Sequence, residues 1–92
     1  MRVILYSKSD CHLCDAFHFE LLDLQSELGF AYEQRYLQMG DPLFAEFSGH
    51  FPLVDVETSA TQPTRLIDLT SQRQLRAEIR QAAGLTALMQ AI

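Results

Sequence analysis

The chain has 92 residues, of which 48% are apolar and 21% are charged, a composition typical of a small globular domain. A chain of this length forms one hydrophobic core, so we expect residues 1–92 to be a single domain. Seven Lys and Arg against twelve Asp and Glu give a net charge of -5, which argues against binding to phosphate backbones or anionic lipid surfaces. No apolar run approaches the roughly 18 residues that cross a membrane. We therefore expect a cytoplasmic monomer that binds neither nucleic acid nor membranes.

The first third of the chain predicts a strand, a turn and a long helix. Residues 2–6 form a short apolar run that predicts a buried strand, and the polar residues after it predict a turn. We expect Ser9 or Asp10 to cap the start of the helix, which would place Cys11 in its first turn. We expect Gly29 to end the helix. Apolar residues recur within it every three or four positions, at Leu13, Phe17, Leu21, Leu24 and Leu28.

The middle of the chain predicts a second strand and a short helix. Residues 30–37 carry tyrosines on one alternating face, which favours a strand. Asp41 followed by Pro42 is typical of a helix start. Gly49 is typical of the point at which the chain leaves that helix. These elements complete a βαβ unit followed by a second helix.

The last part of the chain predicts a hairpin and a final helix. Residues 51–56 and 65–69 are apolar strands separated by a polar, turn-like segment. Thr70 or Ser71 would cap the last helix, which we expect Gly84 to interrupt before an apolar tail. The order βαβαββα predicts an α/β fold, with a four-stranded mixed sheet flanked by helices.

Cys11 and Cys14 are the only cysteines, and they form a C-x-x-C pair. A disulfide across so short a loop restrains the unfolded chain by only about 2 kcal/mol, so a purely structural role is a weak explanation. In a cytoplasmic protein such a pair is typical of a redox dithiol or of part of a metal site. A strand, a turn and a thiol at a helix N-terminus together favour the thiolate. We expect Cys11 to be the nucleophile and Cys14, on the more buried side, to resolve the mixed disulfide.

The charged residues beside the pair act in opposite directions. Lys8 and, when protonated, His12 favour the thiolate of Cys11. Asp10 and Asp15 oppose it. The sequence does not establish whether these charges together favour or oppose the thiolate of Cys11.

The stretch from Tyr6 to Cys14, Y-S-K-S-D-C-H-L-C, resembles the glutaredoxin active-site segment, in which an aromatic strand end, a lysine and C-x-x-C follow in this order. Pro52, ahead of the third predicted strand, is similar to the cis-proline of thioredoxin-fold proteins. The chain looks like the small bacterial glutaredoxin-like proteins that have C-H-L-C in place of C-P-Y-C. Leu5 and Asp10 stand where thioredoxins have a buried aspartate and a tryptophan, which argues against a thioredoxin proper.

The resemblance implies a thioredoxin-like fold and a thiol-disulfide oxidoreductase that reduces protein or mixed disulfides. Its partner would be a disulfide-bearing protein or a glutathione-type thiol, with glutathione as reductant or co-substrate and no bound cofactor. A cis-proline would also expose the neighbouring backbone for pairing with an extended substrate segment. The expected catalytic residues are Cys11 and Cys14. The expected substrate-binding residues are Lys8, His12, Leu13, Phe51 and Pro52.

A non-catalytic thioredoxin-fold binding module, or a metal or iron-sulfur carrier, is the alternative function. Cys11, Cys14 and His18 are spaced i, i+3 and i+7, so they share one helix face and could converge on a metal. Structural zinc usually takes four ligands, so we assign no metal site. We expect His18 to lie at the surface, on the margin of the apolar face.

Overall fold

The computed structural model describes residues 1–58 and 62–90. Its elements follow the predicted order βαβαββα. The strands are β1 Arg2–Ser7, β2 Ala31–Tyr36, β3 Leu53–Glu57 and β4 Thr64–Leu66. The helices are α1 His12–Leu28, α2 Pro42–Glu46 and α3 Gln72–Gln90. Parts of the predicted turn and tail, residues 59–61 and 91–92, lie outside the described residues.

The four strands form one mixed sheet in the order β2-β1-β3-β4, as predicted. β1 and β2 are parallel, whereas β1 with β3 and β3 with β4 are antiparallel. In this register Tyr6, near the end of β1, lies beside Leu53 at the start of β3. The amide of Leu37, just after β2, donates to the carbonyl of Ser7 at 2.9 Å. We call this end of the sheet, marked by Ser7, Leu37 and Leu53, the site end.

Helices cover both faces of the sheet, as the order of the elements predicts. On one face, α1 and α3 enclose the larger core. Its buried members are Val3, Leu5, Phe17, Leu21, Leu24, Phe30, Val54, Val56, Leu75 and Ile79. On the other face, Ile4, Tyr6 and Leu53 form a smaller core. Residues of α2 and its flanking loops, Leu37, Leu43, Phe47 and Phe51, pack against it.

The two long helices run in the same direction. Their side-chain contacts advance together along both helices, from the first turns towards the last. In order, they join Gln72 to the carbonyl of Ala16, Arg76 to the buried Glu20, and Arg80 to Glu27. The N-termini of α1 and α3 therefore lie towards the site end.

The hairpin strands are shorter than predicted. β3 begins at Leu53 rather than at residue 51, because Pro52 has no N–H to donate to a ladder. β4 ends at Leu66 rather than at residue 69, because Asp68 adopts a left-handed conformation, φ 60°, that extended pairing does not allow. The predicted antiparallel pairing of the two strands is confirmed.

The prediction that Gly84 interrupts the last helix is wrong. α3 continues through this position to Gln90. A glycine costs a helix only about 1 kcal/mol relative to alanine, and the alanines and leucines on either side are strong helix formers. Within residues 1–58 and 62–90, we find no helix long and apolar enough to span a membrane.

Candidate active site

The two cysteines lie where β1 leads into α1, at the site end of the sheet. Asp10 adopts a left-handed conformation, φ 55°, which turns the chain before the helix. Cys11 is extended and is itself the N-cap, because its Sγ accepts a hydrogen bond from the backbone N–H of Cys14 at 3.1 Å. The prediction that Ser9 or Asp10 caps this helix is therefore wrong. The helix begins at His12, since the sulfur takes the acceptor role that an oxygen usually fills.

The two cysteines differ in their exposure to solvent. A disulfide joins Cys11 to Cys14, whose Cα atoms lie 5.2 Å apart. Cys14 is only 1% exposed, whereas Cys11 is half-buried. A partner can therefore reach Cys11, and Cys14 lies behind it in the protein interior.

The fixed charges around Cys11 are mixed, as expected. His12, Asp10 and Asp15 are exposed to solvent, and Lys8 is half-buried. Exposed charges are screened by water and salt, whereas the helix N-terminus acts on the sulfur directly through the N–H of Cys14. This hydrogen bond and the positive end of α1 both favour negative charge on Cys11 Sγ.

The expected cis-proline is confirmed. The peptide bond between Phe51 and Pro52 is cis, and Pro52 is buried. Since the next residue, Leu53, pairs with Tyr6, this peptide lies at the same end of the sheet as the cysteine turn. The half-buried Phe51 has its ring 5.7 Å from that of Phe44 in α2.

Leu13 has a different environment from the other residues predicted to bind substrate. It is half-buried, and its side chain packs against the larger core. His12, directly before it, is exposed. The side chain of His12 is therefore accessible to a ligand, whereas that of Leu13 also packs against the core.

A polar contact beside the cis-proline was not predicted. His50 Nδ1 lies 2.7 Å from Asp68 Oδ1, which connects the loop before Pro52 to the segment after β4. Both side chains are exposed. The sequence holds no local signal for this pair, because its members lie 18 residues apart and meet only once the hairpin has formed.

His18 does not join the cysteines. Its Nδ1 lies 2.8 Å from the hydroxyl of Tyr32 on β2. Burial, and to a smaller extent the neighbouring Tyr36, raise the pKa of the Tyr32 phenol well above its usual range. Within residues 1–58 and 62–90, no group of three or more His, Cys, Asp or Glu side chains could hold a metal ion. The carrier hypothesis therefore gains no support from this geometry.

Comparisons with known proteins agree with this fold. The family model described as "Glutaredoxin-like domain (DUF836)" matches residues 2–80. No curated protein sequence matches the chain. Thioredoxin 1 from the thermophilic eubacterium Thermosipho africanus TCF52B matches with a TM-score of 0.72 at 12% identity, covering 95% of this chain and 99% of that one. A structure described as that of a malarial protein matches with a TM-score of 0.59 at 20% identity, covering 87% and 93%. The structural matches support a thioredoxin-like fold, and the family match shows that the chain belongs to the glutaredoxin-like domain family.

Proposed function

We propose that this protein is a thiol-disulfide oxidoreductase that reduces protein or mixed disulfides with its Cys11 and Cys14 dithiol. One observation carries the proposal. The half-buried Cys11 caps α1 through its sulfur, and the joined Cys14 is buried. This is the arrangement that an attacking thiolate and a shielded resolving thiol require.

The first step is attack on the substrate disulfide. The thiolate of Cys11 attacks one sulfur, forms a mixed disulfide with it and releases the other sulfur as a thiolate. An ordinary cysteine, with a pKa near 8.5, is mostly protonated at neutral pH. In the reduced protein, the N–H of Cys14 and the helix end would favour the charged form of Cys11, which supplies the nucleophile.

The second step releases the substrate. Cys14 loses its proton and attacks Cys11 Sγ, which forms the Cys11–Cys14 disulfide and releases the second substrate thiolate. The substrate disulfide gains two electrons and two protons overall, and the dithiol loses them. The burial of Cys14 restricts its chemistry to a sulfur already attached at Cys11.

The substrate would bind beside Pro52. The backbone of Phe51 would pair with an extended substrate segment, and Lys8 and His12 would lie close to its thiol. We propose glutathione as the reductant that restores the dithiol, with two glutathione thiols becoming one glutathione disulfide. The cytoplasm, where thiols are kept reduced, suits this cycle.

A redox titration tests the proposal. The protein is equilibrated with defined ratios of reduced and oxidised glutathione, and its free thiols are counted after alkylation. We expect one reversible two-electron transition in the range of about -200 to -270 mV that glutaredoxins and thioredoxins occupy. The alkylation rate is then followed across pH in Cys11→Ser and Cys14→Ser, which form a matched pair.

The two variants should differ in their thiol reactivity. Cys14→Ser should keep a reactive thiol and accumulate a mixed disulfide with glutathione at Cys11. Cys11→Ser should lose exchange. Equal and slow alkylation of both cysteines at neutral pH, or exchange that survives in Cys11→Ser, would contradict the proposal.

A further inference from the structure

Strand β2 lies at the edge of the sheet, and its outer side has no neighbouring strand within the described residues. The amides of Ala31 and Leu37 donate towards β1, to the carbonyls of Met1 and Ser7 at 3.1 and 2.9 Å. In a parallel ladder alternate residues of a strand bond to the same neighbour. The odd-numbered residues of β2 therefore face β1, and the even-numbered residues direct their N–H and C=O groups outward. These are Tyr32, Gln34 and Tyr36.

We propose that two copies of this chain pair through β2, antiparallel and centred on Gln34. In this register Gln34 lies opposite Gln34 of the second copy, and Tyr32 lies opposite its Tyr36. These pairs use only outward-facing residues, so each can exchange both of its backbone hydrogen bonds. An isologous, two-fold contact of this kind is closed, because it uses the β2 edge of both copies.

The charges on β2 favour this register over its neighbours. Glu33 lies opposite Arg35 of the second copy, in a pair without backbone hydrogen bonds, where side chains approach most closely. Pairing centred on Glu33 would set two glutamates face to face. Pairing centred on Arg35 would do the same with two arginines. Like charges directly opposite each other destabilise a sheet, so the alternation of charge selects Gln34 as the centre.

Within one copy, Glu33 already has cationic partners on the same face. Its carboxylate accepts from Arg35 at 2.8 Å and from Arg2 at 2.6 Å. Hydrogen bonds from Arg35 first, and then from Arg2, lower the pKa of Glu33 to about 2. The side chain is therefore held charged and in place at the edge, where a further cation from the second copy can approach it.

The opposite face of β2 supplies an aromatic surface. Tyr36 is 60% exposed, and Phe19 of α1 is 63% exposed. The ring of His18 lies 5.6 Å from Phe19 and 5.7 Å from Tyr32, so an aromatic row runs from α1 to the edge strand. Pairing through β2 would place Tyr36 of each copy against Tyr32 of the other. Cross-strand aromatic pairs of this type stabilise antiparallel sheets.

The dimer leaves the cysteines accessible. Antiparallel pairing directs the site ends of the two copies in opposite directions, so neither Cys11 is covered by the joined sheet. The inference rests on β2 alone and does not depend on the proposed redox function. It proposes a dimer where the sequence led us to expect a monomer.

Sedimentation velocity on the full chain, from micromolar to millimolar concentration, tests the pairing. We expect a reversible dimer for the natural sequence. Glu33→Arg and Arg35→Glu each oppose like charges at both symmetric positions, so each should weaken the dimer by about tenfold or more. Mixing the two variants sets opposite charges face to face at both positions, and a heterodimer should re-form. Glu27→Arg, on α1, makes the same change in net charge as Glu33→Arg and should leave the dimer unaffected.

Hydrogen exchange gives a second measurement without any variant. The amides of Tyr32, Gln34 and Tyr36 should be protected at high protein concentration and should lose protection on dilution. The amides of Glu33 and Arg35, which face β1, should not respond to dilution. A natural chain that stays monomeric throughout, single variants that dimerise as it does, a mixture that fails to re-form the dimer, or outward amides insensitive to dilution would overturn the proposal.

Discussion

Removing Arg65 should destabilise the domain more than removing any single exposed charge. Asp55 lies in β3 with its side chain only 10% exposed, and its carboxylate accepts two hydrogen bonds from Arg65 on β4, at 2.7 and 2.8 Å. The same guanidinium lies over the rings of Tyr6 and Phe47, 5.4 and 5.2 Å from their centroids. Arg65 thus joins β4 to the two central strands and to the loop after α2.

The expected loss follows from burial. Breaking a fully buried ion pair by removing one partner costs about 3–5 kcal/mol, because the other charge is left uncompensated. Arg65 is itself 33% exposed, so water can reach Asp55 once the side chain is gone. We therefore expect Arg65→Ala to lower the free energy of unfolding by about 2–3 kcal/mol. Arg65→Lys keeps the charge but loses the paired hydrogen bonds and the stacking, and should cost about 1–2 kcal/mol.

Urea denaturation of the single and double variants measures these terms. For a domain of this size, the Arg65→Ala loss corresponds to a fall in Tm on the order of 10–20 °C. The double variant, Asp55→Ala with Arg65→Ala, should be no less stable than Arg65→Ala alone, because the buried charge has been removed with its partner. Arg73→Ala, at an exposed position of α3, is the matched control and should stay within about 0.5 kcal/mol of the natural chain.

Two results would refute this reasoning. One is an Arg65→Ala variant within about 0.5 kcal/mol of the natural chain, since Asp55 would then not need its partner. The other is strict additivity in the double variant, since independent losses would show that the two side chains do not interact.

Three further predictions concern titration and backbone conformation. Because burial raises the pKa of the Tyr32 phenol above its ordinary value of 10, its contribution to stability should be lost as pH rises above 10. A comparison of the ultraviolet absorbance of the natural chain with that of Tyr32→Phe during titration would check this. Hydrogen bonds from Arg35 and Arg2 lower the pKa of Glu33 from 4.5 to about 2, so its contribution to stability is present above pH 4.5 and is lost as pH falls towards 2. Over that range the Tm of Glu33→Gln should decline less than that of the natural chain, and an equal decline would contradict the assignment. Gly29 ends α1 at φ 78°, so Gly29→Ala should destabilise the protein by about 1 kcal/mol. Gly84 lies in the interior of α3 with open space around it, so Gly84→Ala should stabilise the protein by about 0.5–1 kcal/mol. Chemical denaturation of the two variants measures both effects.

The parts of the fold that the sequence predicted correctly depend on local patterns. The period of the apolar residues identified α1, and Gly29 ended it because only a residue that tolerates a left-handed conformation completes that cap. Pro52 marked the start of β3, and its cis bond was expected from a resemblance at the level of single residues. The position of the cysteines at the strand-to-helix turn followed from the same local reasoning.

The remaining features depend on groups that meet only in the folded chain. A sulfur as the N-cap was missed, because cap preferences rank oxygen-bearing side chains and Asp10 was a good candidate. The contact of His50 with Asp68 depends on the left-handed conformation of Asp68, which the neighbouring sequence does not predict. Similarly, no local pattern in α3 shows that Arg76 and Arg80 lie opposite Glu20 and Glu27 of α1.

The shared direction of α1 and α3 gives the molecule an electrical polarity. The peptide dipoles of the two helices add, and each contributes roughly half an elementary positive charge at its N-terminus. Both positive ends lie towards the site end, in a chain whose net charge is -5. The net charge repels an anion from the chain as a whole, whereas the two helix ends attract it, so this polarity favours one orientation for an approaching anion.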